Sequence, residues 1–459
     1  MRSPNQIARD QLVSVLGRMP RVSAPGLATA LRISVRSLHR LLAELPPGQS
    51  VCAGRSRRTR YALRRALRGN RTDIPLYAVD QTGQAALASN LALVHPQGAL
   101  MPMANSGWPV PPESRDGWWD GLPYPLYDIR PQGYIGRQFA RAEHQSLGVS
   151  PNPEEWSDDD IVFVLSQAGS DVSGNFLLGD EAYRRWLRTK LAPPEPVSET
   201  NLGEHYANGA QDTLRGGVAG SSAAGEFPKF TALRQYGHAT PHVLVKFSGA
   251  GESAAERRWA DLLVSEHLAL ACADTLPGVA SAHTRVVHHG TRVFLETERF
   301  DRVGLHGRLP VCTLETFSHA FLGSGSTDWT LLVSRLHELG LVDADTVRAV
   351  ERLWWFGRLI ANTDMHLGNL SFHVEPGLRL APAYDMLPMA YAPLPGGEVP
   401  PHEFTPPLPL PAQREVWKIA CTVALGYWHR ASTDMRISVP FQSVCGANYR
   451  QLNEIAARL

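Results

Sequence analysis

The sequence predicts an α+β protein in which a mixed lobe of strands and helices precedes a helical lobe, behind a small N-terminal domain. Arginine-rich segments with helical spacing fill the first 71 residues, short β-like runs begin at Ile74, and helical patterns dominate beyond Val311. At 459 residues the chain is long enough for several domains. We expect three, with the boundaries 1–72, 73–308 and 309–459.

Composition argues against several classes of protein. No uninterrupted apolar stretch approaches the roughly 18 to 20 residues that span a bilayer, and the N-terminus carries Arg2, Arg9 and Asp10 without the apolar block of a secretory signal. The five cysteines are scattered and never spaced as CxxC, which disfavours a disulfide framework or a structural zinc. We therefore expect a cytoplasmic protein with reduced thiols and no membrane partner.

The net charge of +1 conceals an asymmetry along the chain. Residues 1–71 contain 15 Arg, no Lys and only two acids, Asp10 and Glu44, so this segment carries +13 and the remainder −12. Such a concentration of arginine favours a polyanionic partner for the N-terminal domain.

The stretch RVSAPGLATALRISVRSLHRLLAEL, residues 21–45, predicts two short helices. Ser23 is placed to cap the first, with Pro25 in its first turn, and Ser34 opens the second. This is the spacing of a helix-turn-helix. The following VCAGRSRRTRYALRRALRGNR predicts a turn at Gly54 and a returning strand, which resembles the wing of a winged helix.

These elements would present arginine side chains to DNA. The candidates are Arg36, Ser37 and Arg40 on the second helix, for a groove, and Arg55, Arg57, Arg58 and Arg60 in the wing, near phosphates. Arginine without lysine favours bidentate contacts with phosphate or guanine over simple solubility. We predict that residues 1–72 bind double-stranded DNA; the alternative is a solvated basic arm without a ligand.

The segment IANTDMHLGNLSFH, residues 360–373, places a carboxylate, an imidazole and an amide between two apolar runs. Asp364 and Asn369 have the spacing D-x-x-x-x-N, and Asp385 follows a predicted β-hairpin. Phosphoryl transfer needs a carboxylate near the attacking hydroxyl and oxygen ligands for magnesium. Taken alone, the motif leaves open that Asp364 caps a turn and that Asn369 and Asp385 are ordinary loop residues.

Features upstream follow the order found in kinases. The stretch GGVAGSSAAGEFPKF, residues 216–230, either surrounds phosphates with its backbone amides, with Lys229 close by, or is a flexible linker. Lys246 lies in the β-branched run PHVLVKF, where a charge needs an acidic partner. Glu266 is the first candidate and Glu256 the second. The strand-like VFLETERFDR ends where a hinge between two lobes would lie.

Five segments together resemble the HipA-like serine/threonine kinases, the toxins of bacterial toxin–antitoxin modules: SSAAGEFPK, VLVKF, ERFDR, LIANTDMHLGNLSF and AYDM. The resemblance extends over residues 75–455. The N-terminal helix-turn-helix and the stretch GLPYPLYDIRPQGYIGR are similar to the YjjJ (HipH) branch of that family. The resemblance implies a two-lobed, protein-kinase-like fold with its N-lobe in 73–308 and its C-lobe in 309–459.

The same resemblance implies a role for each matching residue. Asp364 would be the catalytic base, and Asn369 and Asp385 would hold Mg²⁺. His366 matches the catalytic-loop histidine of the family; it either orients the loop by a hydrogen bond, which we favour, or transfers a proton. The residues implied in ATP binding are Ser222, Gly225, Lys229, Lys246, Glu266, Glu298 and Phe300, the last two at a hinge against the adenine. Ser222 matches a serine whose autophosphorylation inactivates HipA-like kinases.

The resemblance also implies partners. Known substrates of the family are aminoacyl-tRNA synthetases, and the implied outcome is growth arrest and persistence. The usual member is held by a separate DNA-binding antitoxin, whereas here a winged-helix-like module is part of the kinase chain.

Two other classes of function remain open. One is a transcriptional regulator whose kinase fold only senses nucleotide, against which the intact set Lys246, Asp364, Asn369 and Asp385 argues. The other is a toxin enzyme acting on DNA, in which Asp364 and Asp385 hold magnesium; the absence of a recognisable nuclease cluster disfavours it.

Overall fold

The structure, a computed structural model, describes residues 4–215 and 227–459. The helices are α1 (Pro4–Arg18), α2 (Ala24–Leu31), α3 (Val35–Ala43), α4 (Tyr124–Asp128), α5 (Gly133–Leu147), α6 (Asp158–Ala168), α7 (Asp180–Leu191), α8 (Leu202–Arg215), α9 (Ala254–Ala273), α10 (Leu314–Phe317), α11 (Trp329–Glu338), α12 (Ala344–Leu359), α13 (Arg414–Thr433) and α14 (Val439–Ala456). The strands are β1 (Val22–Ser23), β2 (Ser50–Ala53), β3 (Arg60–Leu63), β4 (Ile74–Val79), β5 (Ala85–Leu93), β6 (Ala99–Leu100), β7 (Trp118–Trp119), β8 (Phe176–Leu178), β9 (Lys229–Leu233), β10 (His242–Phe247), β11 (Thr284–His289), β12 (Arg292–Glu298), β13 (Arg302–Val303), β14 (Gly307–Arg308), β15 (Val311–Thr313), β16 (Ser371–Glu375) and β17 (Gly377–Leu380).

The chain divides into two compact units, and the predicted α+β class is confirmed because both contain helices packed with sheets. The first unit comprises Met1–Val79, Gln84–Arg130 and Glu155–Leu191. The second comprises Asp80–Gly83, Pro131–Glu154 and Ala192–Leu459. The three predicted domain boundaries stay a prediction.

The start of the first unit has the predicted pair of capped helices. Ser23 Oγ accepts the backbone N–H of Gly26 at 3.2 Å, and Ser34 Oγ accepts that of Ser37 at 3.1 Å, so each serine satisfies one donor that the first turn leaves open. The three helices α1 to α3 enclose Leu12, Leu16, Leu27, Leu38 and Leu41. A three-stranded antiparallel sheet in the order β1-β3-β2 completes this part.

The remainder of the first unit is built on a five-stranded antiparallel sheet in the order β7-β6-β5-β4-β8. The runs IPLYAVD and AALASNLALV supply its central strands, β4 and β5, as their composition predicts. Trp118 and Trp119 of β7 are buried.

The second unit contains a four-stranded antiparallel sheet in the order β11-β12-β10-β9, so β10 lies between two partners. Apolar side chains on one face, including Val243, Val245 and Phe294, form a core with Tyr206 of α8. Lys246 follows Val245 on β10, and successive side chains of a strand point to opposite faces of the sheet. The ammonium of Lys246 therefore lies on the face where α9 packs.

The helices α11 to α13 contribute buried aromatic residues to the core of the second unit, among them Trp329, Phe356, Trp417 and Trp428. The predicted hairpin is present as β16 and β17, and β15 pairs with β16. The Pro-rich segment Ala392 to Pro411 contains neither helix nor strand over residues 392–410. Within the described residues, none of the helices combines the length and the apolar character needed to cross a bilayer.

Candidate active site

Lys246 and Glu266 form a buried ion pair between β10 and α9. Lys246 Nζ lies 2.6 and 2.7 Å from the two carboxylate oxygens of Glu266, and the exposed fractions of the side chains are 3% and 0%. Glu266, the first candidate, is therefore the partner that the strand lysine requires. Glu256, the second candidate, instead forms a capping box with Ser253 at the start of α9.

Asp385 is the second carboxylate that binds Lys246 Nζ. Its backbone has φ = 50°, in the left-handed region that aspartate tolerates better than most residues. Burial opposes the charged form, but attraction to Lys246 and then to Lys229 outweighs it and lowers the pKa of Asp385 to about 2. Asp385 is thus an ionised carboxylate at neutral pH, with a side chain that is 30% exposed.

Burial also affects the pKa values of Lys246 and Glu266, the two groups that bind each other beside Asp385. Burial alone would lower the pKa of Lys246, yet Asp385 and Glu266 together raise it. For Glu266 burial is the dominant cause, and its pKa is raised despite the nearby ammonium. The ammonium of Lys246 is therefore fixed between two carboxylates of unequal acidity.

The loop from Ala361 to Asn369 is held by hydrogen bonds from side chain to backbone. Asn369 Nδ2 donates to the carbonyl of Asp364 at 2.7 Å, which closes the D-x-x-x-x-N segment on itself. Asn362 Oδ1 accepts the N–H of Asp364 at 3.0 Å, and Asn362 Nδ2 lies 3.4 Å from the carbonyl of Asp385. Asn362 therefore connects the loop that carries Asp364 to the residue that follows the hairpin.

His366 also supports this loop. Its Nδ1 accepts the backbone N–H of Gly368 at 3.1 Å, so that nitrogen carries no proton in this arrangement. Its carbonyl accepts the indole N–H of Trp329, at the start of α11, at 3.3 Å. These contacts fix the position of His366 within the loop, and its role there stays a prediction.

The end of β12 approaches the same region through Phe300. The Phe300 ring lies 5.4 Å from that of Tyr384 and 6.0 Å from that of His373. The Tyr384 hydroxyl donates to the carbonyl of Gly368 at 2.5 Å. Glu298, the other predicted hinge residue, is 39% exposed and lies 3.9 Å from His283.

Lys229, the first residue of β9, and Phe227, two residues before it, lie near the Lys246 side chain. Lys229 pairs with Lys246 in the antiparallel register, so both side chains point to the same face of the sheet. Phe227 is buried against Trp259, with ring centroids 4.7 Å apart, and its ring lies 5.8 Å from Lys246 Nζ. Ser222 and Gly225, predicted in the phosphate loop, lie outside the described residues.

The arginines of the N-terminal segment fall into two groups. Five of the six arginines predicted to contact DNA have exposed side chains: Arg36, Arg40, Arg55, Arg57 and Arg58. Arg60 is different, since its guanidinium donates to the carbonyls of Arg57 and Thr59 at 3.0 and 3.1 Å. Farther along, Arg64, Arg65 and Arg68 pair with Asp73, Asp159 and Asp160.

Sequence reasoning missed Asn362 and Tyr384. The role of Asn362 could have been predicted locally, because an asparagine often accepts the backbone N–H of the residue two positions later, here Asp364, in a turn. No sequence pattern predicts the role of Tyr384. Its hydroxyl forms hydrogen bonds of 2.5 Å with Gly368 and 2.7 Å with Ser371, and both depend on how the hairpin folds back.

Two family models match the chain: the HipA-like C-terminal domain over residues 221–426, and the middle domain of YjjJ-like toxins over residues 70–187. The chain belongs to the HipA-like toxin family, in its YjjJ-like branch, as the sequence motifs predict. It is similar to Toxin YjjJ of Escherichia coli (strain K12), with 37% identity over 453 residues, which covers 98% of this chain and 99% of that protein.

Two solved structures are also similar. A chain from the complex of HipA, HipB and operator DNA of Shewanella oneidensis MR-1 aligns with 84% of this chain and 97% of its own length, at 14% identity and a TM-score of 0.49. The proinflammatory kinase CtkA of Helicobacter pylori aligns with 50% of this chain and 90% of its own length, at 10% identity and a TM-score of 0.33.

Proposed function

We propose that this chain transfers the γ-phosphoryl group of ATP to a serine or threonine of a protein target, and that this reaction arrests growth. One observation carries the proposal: Lys246 Nζ is fixed between Glu266 and Asp385. A lysine held in this way on a strand is placed to bind the α- and β-phosphates.

Asp364 is proposed as the base that accepts the proton of the attacking hydroxyl. The amide of Asn369 and that of Asn362 fix its backbone on both sides, so the carboxylate starts from a defined position. Glu298, the last residue of β12, and Phe300, two residues beyond it, are proposed to contact the adenine. Lys229 adds a second cation on the face of Lys246.

The donor set suits Mg²⁺ bound together with ATP. Among the described residues no group of three or more His, Cys, Asp or Glu side chains could hold a metal ion alone. Magnesium in kinase sites uses one or two carboxylates or amides and completes its shell with substrate phosphates and water. Asp385 and Asn369 would hold it, and the ion would neutralise charge on the phosphates.

Double-stranded DNA is proposed as a second partner, bound by residues 1–72. The supporting observation is that Arg36 and Arg40 on α3 and Arg55, Arg57 and Arg58 beyond β2 are all exposed. A protein required for translation, such as an aminoacyl-tRNA synthetase, is the proposed target class.

Induced expression in a bacterial culture tests the toxin activity. Wild-type protein should stop growth, and Asp364→Ala at matched expression should not, because the base is removed. Glu351→Ala on α12 is the matched control and should arrest growth as wild type does. Equal arrest by wild type and Asp364→Ala would refute the proposed origin of toxicity.

A further inference from the structure

Helix α9 carries Glu266 on one side and a second buried carboxylate, Asp261, on another. The two residues are five positions apart, which places their side chains about 140° apart around the helix. Glu266 faces Lys246 of the sheet, whereas Asp261, with a side chain 5% exposed, faces the start of α14.

Asp261 is bound by Ser438, the residue that precedes α14. The backbone N–H of Ser438 donates to one oxygen of Asp261 at 2.7 Å, and its hydroxyl donates to the other at 2.6 Å. A serine in this position usually caps its own helix, but Ser438 forms no such bond. Its hydroxyl is used instead to hold α9, and the positive end of the α14 dipole favours the carboxylate.

Two further contacts attach α9 to the same region. Arg258, one turn before Asp261, donates to the carbonyl of Tyr391 at 3.2 Å, and its guanidinium lies 4.2 Å from the centre of the Phe441 ring. Beyond the helix end, the backbone N–H of Ala282 donates to the carbonyl of Ala383, two residues before Asp385, at 2.9 Å.

Both carboxylates that bind Lys246 are therefore held from the helical side of the second unit. Glu266 is fixed through α9, and Asp385 follows the segment bonded to Ala282. Lys246 is the member of the trio that belongs to the sheet. We infer that the bond between Asp261 and Ser438 is a positioning contact that sets Glu266 at the distance where it binds Lys246.

This inference rests on the proposed function, since it assigns Asp261 and Ser438 a part in preparing the lysine that binds ATP. Neither residue touches the site itself. Their effect should therefore pass through Glu266 and disappear when Glu266 can no longer bind Lys246 as a carboxylate.

The test measures how fast Lys246 of the full chain is acetylated by an N-hydroxysuccinimide ester, read by mass spectrometry without nucleotide. Ser438→Ala and Asp261→Ala should each raise the rate at Lys246 about five- to tenfold, because a buried hydrogen bond that restrains the pair is lost. The rate at exposed Lys418 should not change. Ser443→Ala, which removes an exposed hydroxyl of α14, should match wild type.

A double-mutant cycle separates positioning from general stability. Glu266→Gln alone should also raise the rate at Lys246, and adding Ser438→Ala to it should produce no further increase. Fully additive effects, equal rises at Lys246 and Lys418, or a wild-type rate at Lys246 in Ser438→Ala would each overturn the inference. If Asp261→Ala does not fold, Ser438→Ala decides, since it keeps the carboxylate.

Turnover gives a second reading that depends on the proposed function. Ser438→Ala should raise the KM for Mg-ATP about threefold or more and change kcat less, because Lys246 binds phosphates in the ground state as well. If Ser438→Ala raises the acetylation rate at Lys246 but the wild type does not turn over ATP, the positioning contact is supported and the kinase proposal is refuted. If Ser438→Ala leaves that rate unchanged and the wild type does turn over ATP, the kinase proposal survives and the positioning contact is refuted.

Discussion

Asp364 and Asp385 have different environments, and these predict different defects. Asp364 is held through its backbone by Asn362 and Asn369, whereas Asp385 binds Lys246 with its side chain. Asp364→Ala should lower phosphoryl transfer by about 10²- to 10⁴-fold and leave ATP binding largely intact. Asp385→Asn should lower transfer and should also weaken the magnesium-dependent binding of ATP.

Asparagine is the better replacement at Asp385, because the backbone φ of 50° would strain alanine and confuse loss of charge with loss of folding. Transfer rates and the Kd for ATP, each with and without Mg²⁺, measure both effects. Transfer by Asp364→Ala at nearly the wild-type rate would disprove its role as base.

The acidity of Asp385 also predicts a dependence of stability on pH. Its pKa in the folded protein, about 2, is below the ordinary value of 3.8 because Lys246 and Lys229 outweigh the opposing effect of burial. A lowered pKa contributes stability above the ordinary value, and this contribution is lost as pH falls through the folded value. The free energy of unfolding of wild type should therefore exceed that of Asp385→Asn at pH 7 by up to about 2 kcal/mol, and the difference should shrink between pH 4 and pH 2. Urea unfolding at several pH values measures this; a difference that does not change with pH would contradict the ion pair.

At the scale of elements, α3 and the segment between β2 and β3 present arginines to solvent, while Arg64, Arg65 and Arg68 beyond β3 are paired with aspartates. Their contributions to DNA binding should differ accordingly. The dissociation constant of the full chain for duplex DNA should follow salt with a log–log slope of about −0.9 per phosphate contacted. Replacing Arg57 and Arg58 by alanine should make that slope shallower by roughly one to two units.

Arg36→Ala and Arg40→Ala should instead change sequence preference, because residues of α3 would contact base edges. Arg184→Ala with Arg188→Ala, two exposed arginines of α7, is a control of equal charge and should leave the slope unchanged. Binding that does not respond to salt would identify the arginines as surface charge only.

The phosphate-loop segment is the second element with a testable role. A phosphate on Ser222 would carry about −1.5 to −2 charges into a loop proposed to surround the phosphates of ATP, and would compete for Lys229 and Lys246. After incubation with Mg-ATP, mass spectrometry should find phosphate on Ser222 or Ser221 in wild type and none in Asp364→Ala. Ser222→Asp should bind ATP more weakly. An unmodified loop during active turnover, with normal ATP binding by Ser222→Asp, would exclude this form of self-inactivation.

The contrast between what the sequence predicts and what it misses follows from the range of the contacts. Local signals are reliable: Ser23 and Ser34 cap their helices, and the hairpin before Asp385 is present. The partner of Lys246 was predictable because a buried charge in a strand needs an acid, and the capping box at Ser253 gives Glu256 another role.

Contacts between distant segments were not predictable from one sequence. Asp261 and Ser438 are 177 residues apart, and the buried pair of Arg234 and Glu296, with 2.7 Å between the atoms, is separated by 62. No sequence motif or characteristic spacing predicts either pair, because the partners meet only when the sheet and the helices are assembled. The positions of Asn362 and Tyr384 around the loop depend on the same assembly.

At the scale of the whole molecule, an arginine-rich N-terminal segment and a candidate site in which Lys246 binds Glu266 and Asp385 belong to one chain of the HipA-like family. Three kinds of activity would be compatible with that combination: phosphorylation of a protein, nucleotide sensing without transfer, and cleavage of DNA. They differ in which bond is broken and in where the phosphate goes.

The most direct measurement follows the label from [γ-³²P]ATP and, in parallel, from [α-³²P]ATP, when the purified chain is incubated with Mg²⁺, a cell lysate and supercoiled plasmid. We expect γ-label on serine or threonine of a protein, no transfer of α-label, no transfer of either label by Asp364→Ala, and an intact plasmid. Label from neither nucleotide with intact plasmid, or nicked plasmid that depends on Asp364, would contradict it.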